Sequence, residues 1–149
     1  MILIVRTVPE DERFKALIAE LNADLRSRYG EQQAQFDPHN NVPADARVVL
    51  ALDNEIPAGC GCYKVLEDSR VEIKRMYVRP ASRRLGVAQQ ILNELEAWAK
   101  EAGHLYARLE LASKQPEASA LYRKLCYQRI DNYGPYINMA ESVCLEKVL

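Results

Sequence analysis

A chain of 149 residues is long enough for one domain that buries roughly two-thirds of the surface its unfolded form exposes, without cross-links. Hydrophobic residues at 48% and charged residues at 28% exclude a disordered chain and a fibre. Lys and Arg number 20 against 21 Asp and Glu, a net charge of -1, so nothing draws the whole chain to nucleic acid or an anionic membrane, and any basic site is local.

Residues 2–5 read as a short buried strand, and Pro9-Glu10-Asp11 signals a helix start with acid in the first turn. Phe14, Leu17, Ile18, Leu21 and Leu25 give that helix one apolar face, up to Tyr29-Gly30. Residues 31–45 are polar, include His39, and read as a long loop, a candidate lid or substrate wall. Residues 47–52, 58–66 and 71–78 read as successive strands of an antiparallel meander. The period then changes: Ala88, Ile91, Leu92, Leu95, Trp98 and Ala102 are spaced for a helix ending near Gly103, followed by a strand over 106–111. That order predicts a right-handed crossover and a parallel strand pair. A further helix from Pro116 buries Ala118, Leu121, Tyr122 and Leu125, and strands over 128–131 and 142–148 follow. With no repeat or linker, the expectation is a single mixed α/β domain over 1–149, a meander first and a βαβ unit after it.

Cys60, Cys62, Cys126 and Cys144 are too sparse for a disulfide scaffold, and with only His39 and His104 beside them no metal is expected. Cys60 and Cys62 share a strand face and read as small buried residues, and His104 as the end of a helix. No run is apolar and long enough for export or a membrane span, which leaves the cytoplasm as the default compartment.

The most informative stretch runs from Val71 to Ala88: a strand, a basic turn and a helix start. A helix N-terminus presents unpaired N–H groups and a positive dipole end, and Gly86 with little bulk at Ala88 lets an anion approach. Arg79, Arg83 and Arg84 add charge at the same place, which together suits a pyrophosphate. A compact basic cluster followed by acidic Glu94 and Glu96 does not suit nucleic acid.

Arg83-Arg84-Leu85-Gly86-Val87-Ala88 resembles the signature of the GNAT superfamily of acyl-CoA-dependent N-acetyltransferases: Gln or Arg, two residues, Gly, one residue, Gly or Ala. Residues 72–80 are similar to that family's strand leading into the signature, and residues 115–127 to its second helix. Arg84 stands where many relatives have Gly, Gln115 where Asn is usual and Cys126 where Gly is usual. The resemblance implies a central mixed sheet with helices on both faces, and acetyl-CoA as co-substrate in a splay between two parallel strands. It would be held by Met76, Tyr77, Val78, the turn Arg83, Arg84, Leu85, Gly86, Val87, Ala88, and Gln115.

It also implies direct attack of an amine on the thioester, with Glu72 as the base and Tyr122 as the acid that meets the leaving thiolate. Tyr133 and Tyr136, flanking Gly134-Pro135, are expected to line the acceptor pocket. Blander readings stand beside these. Alternation could put Glu72 on a solvated sheet face with Lys74, and Tyr122 could be a core tyrosine. The expected partner is a small-molecule primary amine or an amino acid, with no nucleic acid or membrane, and a homodimer stays open. A protein or peptide N-acetyltransferase and a non-catalytic acyl-CoA sensor are the competing functions.

Overall fold

The strands are β1 (Ile2–Thr7), β2 (Arg47–Asp53), β3 (Ile56–Val65), β4 (Arg70–Val78), β5 (Tyr106–Ala112), β6 (Gln128–Ile130) and β7 (Ser142–Val148). The helices are α1 (Glu12–Tyr29), α2 (Val87–Glu101) and α3 (Pro116–Lys124). In the computed structural model, which describes residues 1–30, 41–112 and 116–149, the strands form one sheet in the order β1-β2-β3-β4-β5-β7-β6. All neighbours are antiparallel except β4 and β5, the parallel pair that the strand-helix-strand pattern implies. Most of the expected loop over 31–45, with His39, and also Gln115, lie outside the described residues. No helix among the described residues is long and apolar enough to cross a membrane.

Alternation along the meander splits the core in two. Val48, Leu50, Leu52, Cys60, Cys62 and Tyr77 point to one face, where Phe14, Leu17 and Leu21 of α1 cover them. Val49, Ala51, Tyr63, Val71 and Ile73 point to the other, under Val87, Ile91, Leu92, Leu95 and Ala99 of α2 and Tyr122 of α3. Helices therefore flank both faces, as the resemblance implied.

Asp11 caps α1: one carboxylate oxygen accepts the Arg13 N–H at 2.9 Å and the other the Thr7 hydroxyl at 2.8 Å. The helix closes on Gly30 at φ 55°, where a side chain would be strained. On the other face, β3 is stripped of bulk so that α2 can approach. A Cβ on Gly59 would sit 2.8 Å from the Tyr77 carbonyl oxygen and 3.1 Å from Ile91. Backbone cannot give way as a flexible side chain can, so Gly59→Ala is expected to cost about 1–3 kcal/mol. The denaturant midpoint measures it, and an unchanged midpoint would contradict the packing described.

Candidate active site

β4 and β5 pair only where Arg70, Val71 and Glu72 meet Tyr106, Ala107 and Arg108. Beyond Glu72 the strands part, and residues 73–78 of β4 have no β5 partner. A strand edge left open in this way offers backbone donors and acceptors to an extended ligand.

The same stretch of β4 carries a bulge. Cys60 pairs with Tyr77 and Cys62 with Lys74, so Gly61 of β3 alone opposes both Arg75 and Met76. Arg75 takes φ 58°, a conformation L-residues adopt at a cost of about 1–2 kcal/mol. The extra residue breaks the alternation. Lys74 and Arg75 both turn toward the α1 face: the Lys74 ammonium meets the Tyr136 hydroxyl at 3.0 Å, and the Arg75 guanidinium donates to the Asn22 carbonyl on α1. Met76 instead packs into the α2 core.

Glu72 shares the α1 face but is not solvated. It is 2% exposed, under the segment that joins β6 to β7. One carboxylate oxygen accepts the Tyr133 hydroxyl at 2.5 Å, and the other lies 3.4 Å from the Lys74 ammonium and 3.5 Å from that of Lys64. Burial pushes the Lys74 ammonium below the usual lysine range, against the pull of Glu72. Arg108, in register with Glu72, sits 4.8 Å from the Tyr133 ring centre and donates to Glu146 at 2.5 Å. Lys64, Glu72, Arg108 and Glu146 thus form a row of alternating charge across β3, β4, β5 and β7. Nearby on β5, burial pushes the Glu110 carboxyl above its usual range.

The two tyrosines expected at an acceptor pocket divide. Tyr133 is half-buried against Glu72, whereas Tyr136 is only 2% exposed, stacked edge-on to Tyr133 at 5.5 Å, and supports Lys74 rather than presenting a surface. Tyr122 is buried in the α2-side core, edge-on to Tyr127 at 5.6 Å. Burial pushes its phenol up, so it stays protonated through the physiological range.

At the far end of the cleft, Arg83, Arg84, Leu85 and Gly86 are exposed while Val87 is buried and anchors the helix start. Gly86 takes φ 76°, and Arg84, where Gly is common in relatives, takes φ 67°. The first intrahelical bond runs from Gln90 to Gly86, so the amides of Val87, Ala88 and Gln89 have no partner within the helix. No side chain caps them and no acid lies in the first turn, leaving the positive end of α2 uncompensated.

Arg83 braces the turn by donating to the Val78 carbonyl at 2.8 Å. Arg79 does not join it: its guanidinium is held by Glu20 at 2.6 Å and by the Pro57 carbonyl at 2.7 Å, so its charge is spent within the fold. Cys60 and Cys62 are buried with their thiols against the carbonyls of Arg75 and Lys74. Burial raises both, Cys62 to about 12, as expected of structural thiols.

Sequence reasoning missed Lys64, Lys74, Arg75, Asn22 and Arg108 as neighbours of the site. For Lys64, Lys74 and Arg108 a signal existed, since each lies on a strand flanking or containing Glu72 and shares its parity. For Arg75 and Asn22 there was none, because a bulge without glycine leaves no trace in the pattern.

An open parallel edge with an uncapped, arginine-rich helix start at its mouth fits a ligand with an acyl thioester at one end and a pyrophosphate at the other, which is the class of acyl-CoA-dependent transferases. The chain belongs to the acetyltransferase (GNAT) family, whose model matches residues 14–126, and it is accordingly an acyltransferase. It is 30% identical to the IAA acetyltransferase of Azospirillum brasilense, across 99% of this chain and 98% of that one. A Klebsiella pneumoniae protein assigned as an acyl-CoA N-acyltransferase superposes with a TM-score of 0.83 at 31% identity, covering 100% and 98% of the two chains. The PaiA N-acetyltransferase of Thermoplasma acidophilum, solved with coenzyme A, shares the fold at a TM-score of 0.72 and 17% identity, covering 100% and 99%.

Proposed function

We propose that the chain transfers the acetyl group of acetyl-CoA to a primary amine of a small molecule or amino acid by direct attack, in the reducing cytoplasm where its four free thiols persist. The observation that carries this is the parting of β4 from β5 just beyond Glu72, with the bare α2 N-terminus at the other end of the opening. Acetyl-CoA supplies the activated acyl group. The amides of Val87 and Ala88 with Arg83 and Arg84 would hold its pyrophosphate, and the free edge at Met76, Tyr77 and Val78 would pair with its pantetheine arm.

An aliphatic amine has a pKa of about 10, so it arrives protonated at neutral pH. Glu72 takes that proton, directly or through the Tyr133 hydroxyl bonded to it, and the Lys64 and Lys74 ammoniums hold its carboxylate in place. Tyr133 faces the acceptor while Tyr136 fixes Lys74 from beneath. Tyr122 retains its proton and so can serve the leaving thiolate.

The test is calorimetric titration with acetyl-CoA together with a panel of amines scored for CoA release. Micromolar affinity that weakens as salt rises is expected, because the contacts are to phosphate. Binding without turnover of any amine would favour a sensor, and turnover confined to peptides would favour a protein N-terminus as acceptor.

A further inference from the structure

Between α1 and the β4 bulge lies a cavity of about 580 Å³ that the site as described leaves without a role. Phe14, Ile18 and Val42 supply its apolar wall. Lys15, Arg26 and Arg75 bring three cationic side chains to it, and no carboxylate is among its described lining residues. Arg75 is 9% exposed and its guanidinium is steadied by Asn22, which also lines the cavity. Lys15 reaches only the exposed Glu12, at 3.5 Å.

We infer that this cavity receives the acceptor and that the acceptor carries a carboxylate, so that the substrate class is an amine bearing an acid group on an apolar body. The inference rests on the acetyltransfer reading above. Arg75 is the bulge residue immediately before Met76, so an acid group on its guanidinium stands beside the strand edge assigned to the acetyl donor. A planar guanidinium accepts a carboxylate in a two-pronged contact, and Arg26 and Lys15 add charge of the same sign at the rim. Tertiary structure makes the site: Lys15 and Arg26 fall on one face of α1, and the bulge turns Arg75 toward them, where regular alternation would have sent it into the α2 core.

The experiment compares matched pairs of amines, amino acids against their decarboxylated or methyl-ester counterparts, by CoA release in the wild type, Arg26→Gln and Arg75→Gln. Within each pair the carboxylate form should be favoured by roughly 10-fold or more in kcat/KM, since a site built for an acid group leaves its own charges unmatched by the analogue. Arg26 is exposed, so Arg26→Gln keeps the fold; it should raise the KM of the acceptor and narrow the ratio while the KM of acetyl-CoA stays put. Equal kcat/KM within the pairs, or a ratio unmoved in both variants, overturns the inference while leaving the acetyltransfer reading intact. A silent panel with acetyl-CoA binding preserved overturns the small acidic acceptor, and failure to bind acetyl-CoA overturns the parent reading as well.

Discussion

Replacing Glu72 by Gln should lower kcat by roughly 100-fold or more while leaving the affinity for acetyl-CoA nearly unchanged. Gln keeps the shape and can still accept from Tyr133, but it has no site for the amine's proton. The geometry sharpens the expectation. Glu72 is 2% exposed, and its oxygens already meet Tyr133, Lys64 and Lys74, so a proton reaches it through a hydrogen-bonded neighbour more readily than by open contact. Tyr133→Phe should therefore also lower kcat, by less, since water can occupy the vacated position.

Neutralising Glu72 leaves Lys74 buried without its carboxylate, so acetyl-CoA affinity and the circular dichroism spectrum serve as the control for folding. In the variant the rate should follow only the ionisation of the amine, climbing steadily with pH toward about 10. A variant that turns over at the wild-type rate with the same profile would make Glu72 a structural member of the charged row and place the base elsewhere.

Reversing charge at the turn, Arg83→Glu with Arg84→Glu, should weaken acetyl-CoA binding by several kcal/mol, a loss of about 100-fold or more, because like charge then faces the pyrophosphate. The two positions act differently. Arg83 also braces the turn through the Val78 carbonyl, so its single variant mixes lost charge with a loosened backbone. Arg84 makes no such contact among those described, and Arg84→Glu alone reports charge. Arg79→Glu should not behave in the same way: that guanidinium is already matched by Glu20, and its reversal breaks the fold between α1 and β4. Unchanged affinity in a folded double variant would remove the turn from the binding site.

What could be read from the sequence was what repeats at short range. Apolar residues at 3.6-residue spacing located α1, α2 and α3, two-residue alternation located the meander, and the change of period at Ala88 announced the parallel pair. The resemblance at Arg83, Gly86 and Ala88 located the anion end, and Glu72 was singled out before its partners were visible. The misreadings share one cause, contacts between residues far apart in the chain. Arg79 was counted with the phosphate turn because Glu20, 59 residues earlier, gives no sign of claiming it. Tyr136 was expected at a surface because an aromatic beside a Gly-Pro turn does not reveal that Lys74 lies beneath it. The bulge was invisible because its left-handed residue is Arg75 and not Gly.

The three residue pairs that join β4 to β5 are a narrow neck between two blocks, one of β1 to β4 with α1 and α2, the other of β5, β6 and β7. A few side-chain ties reinforce it, such as Glu96 of α2 holding both Tyr127 and Lys147 at 2.8 Å, but the backbone ladder is interrupted along the whole cleft. The blocks are therefore candidates for separate cooperative units, and a molecule lying in the cleft acts as a missing strand that splices them together. Occupancy then adds to folding stability by mass action, about 2.7 kcal/mol at a hundredfold excess over the dissociation constant. In a cell, the lifetime of the folded chain would rise and fall with the supply of its own acetyl donor.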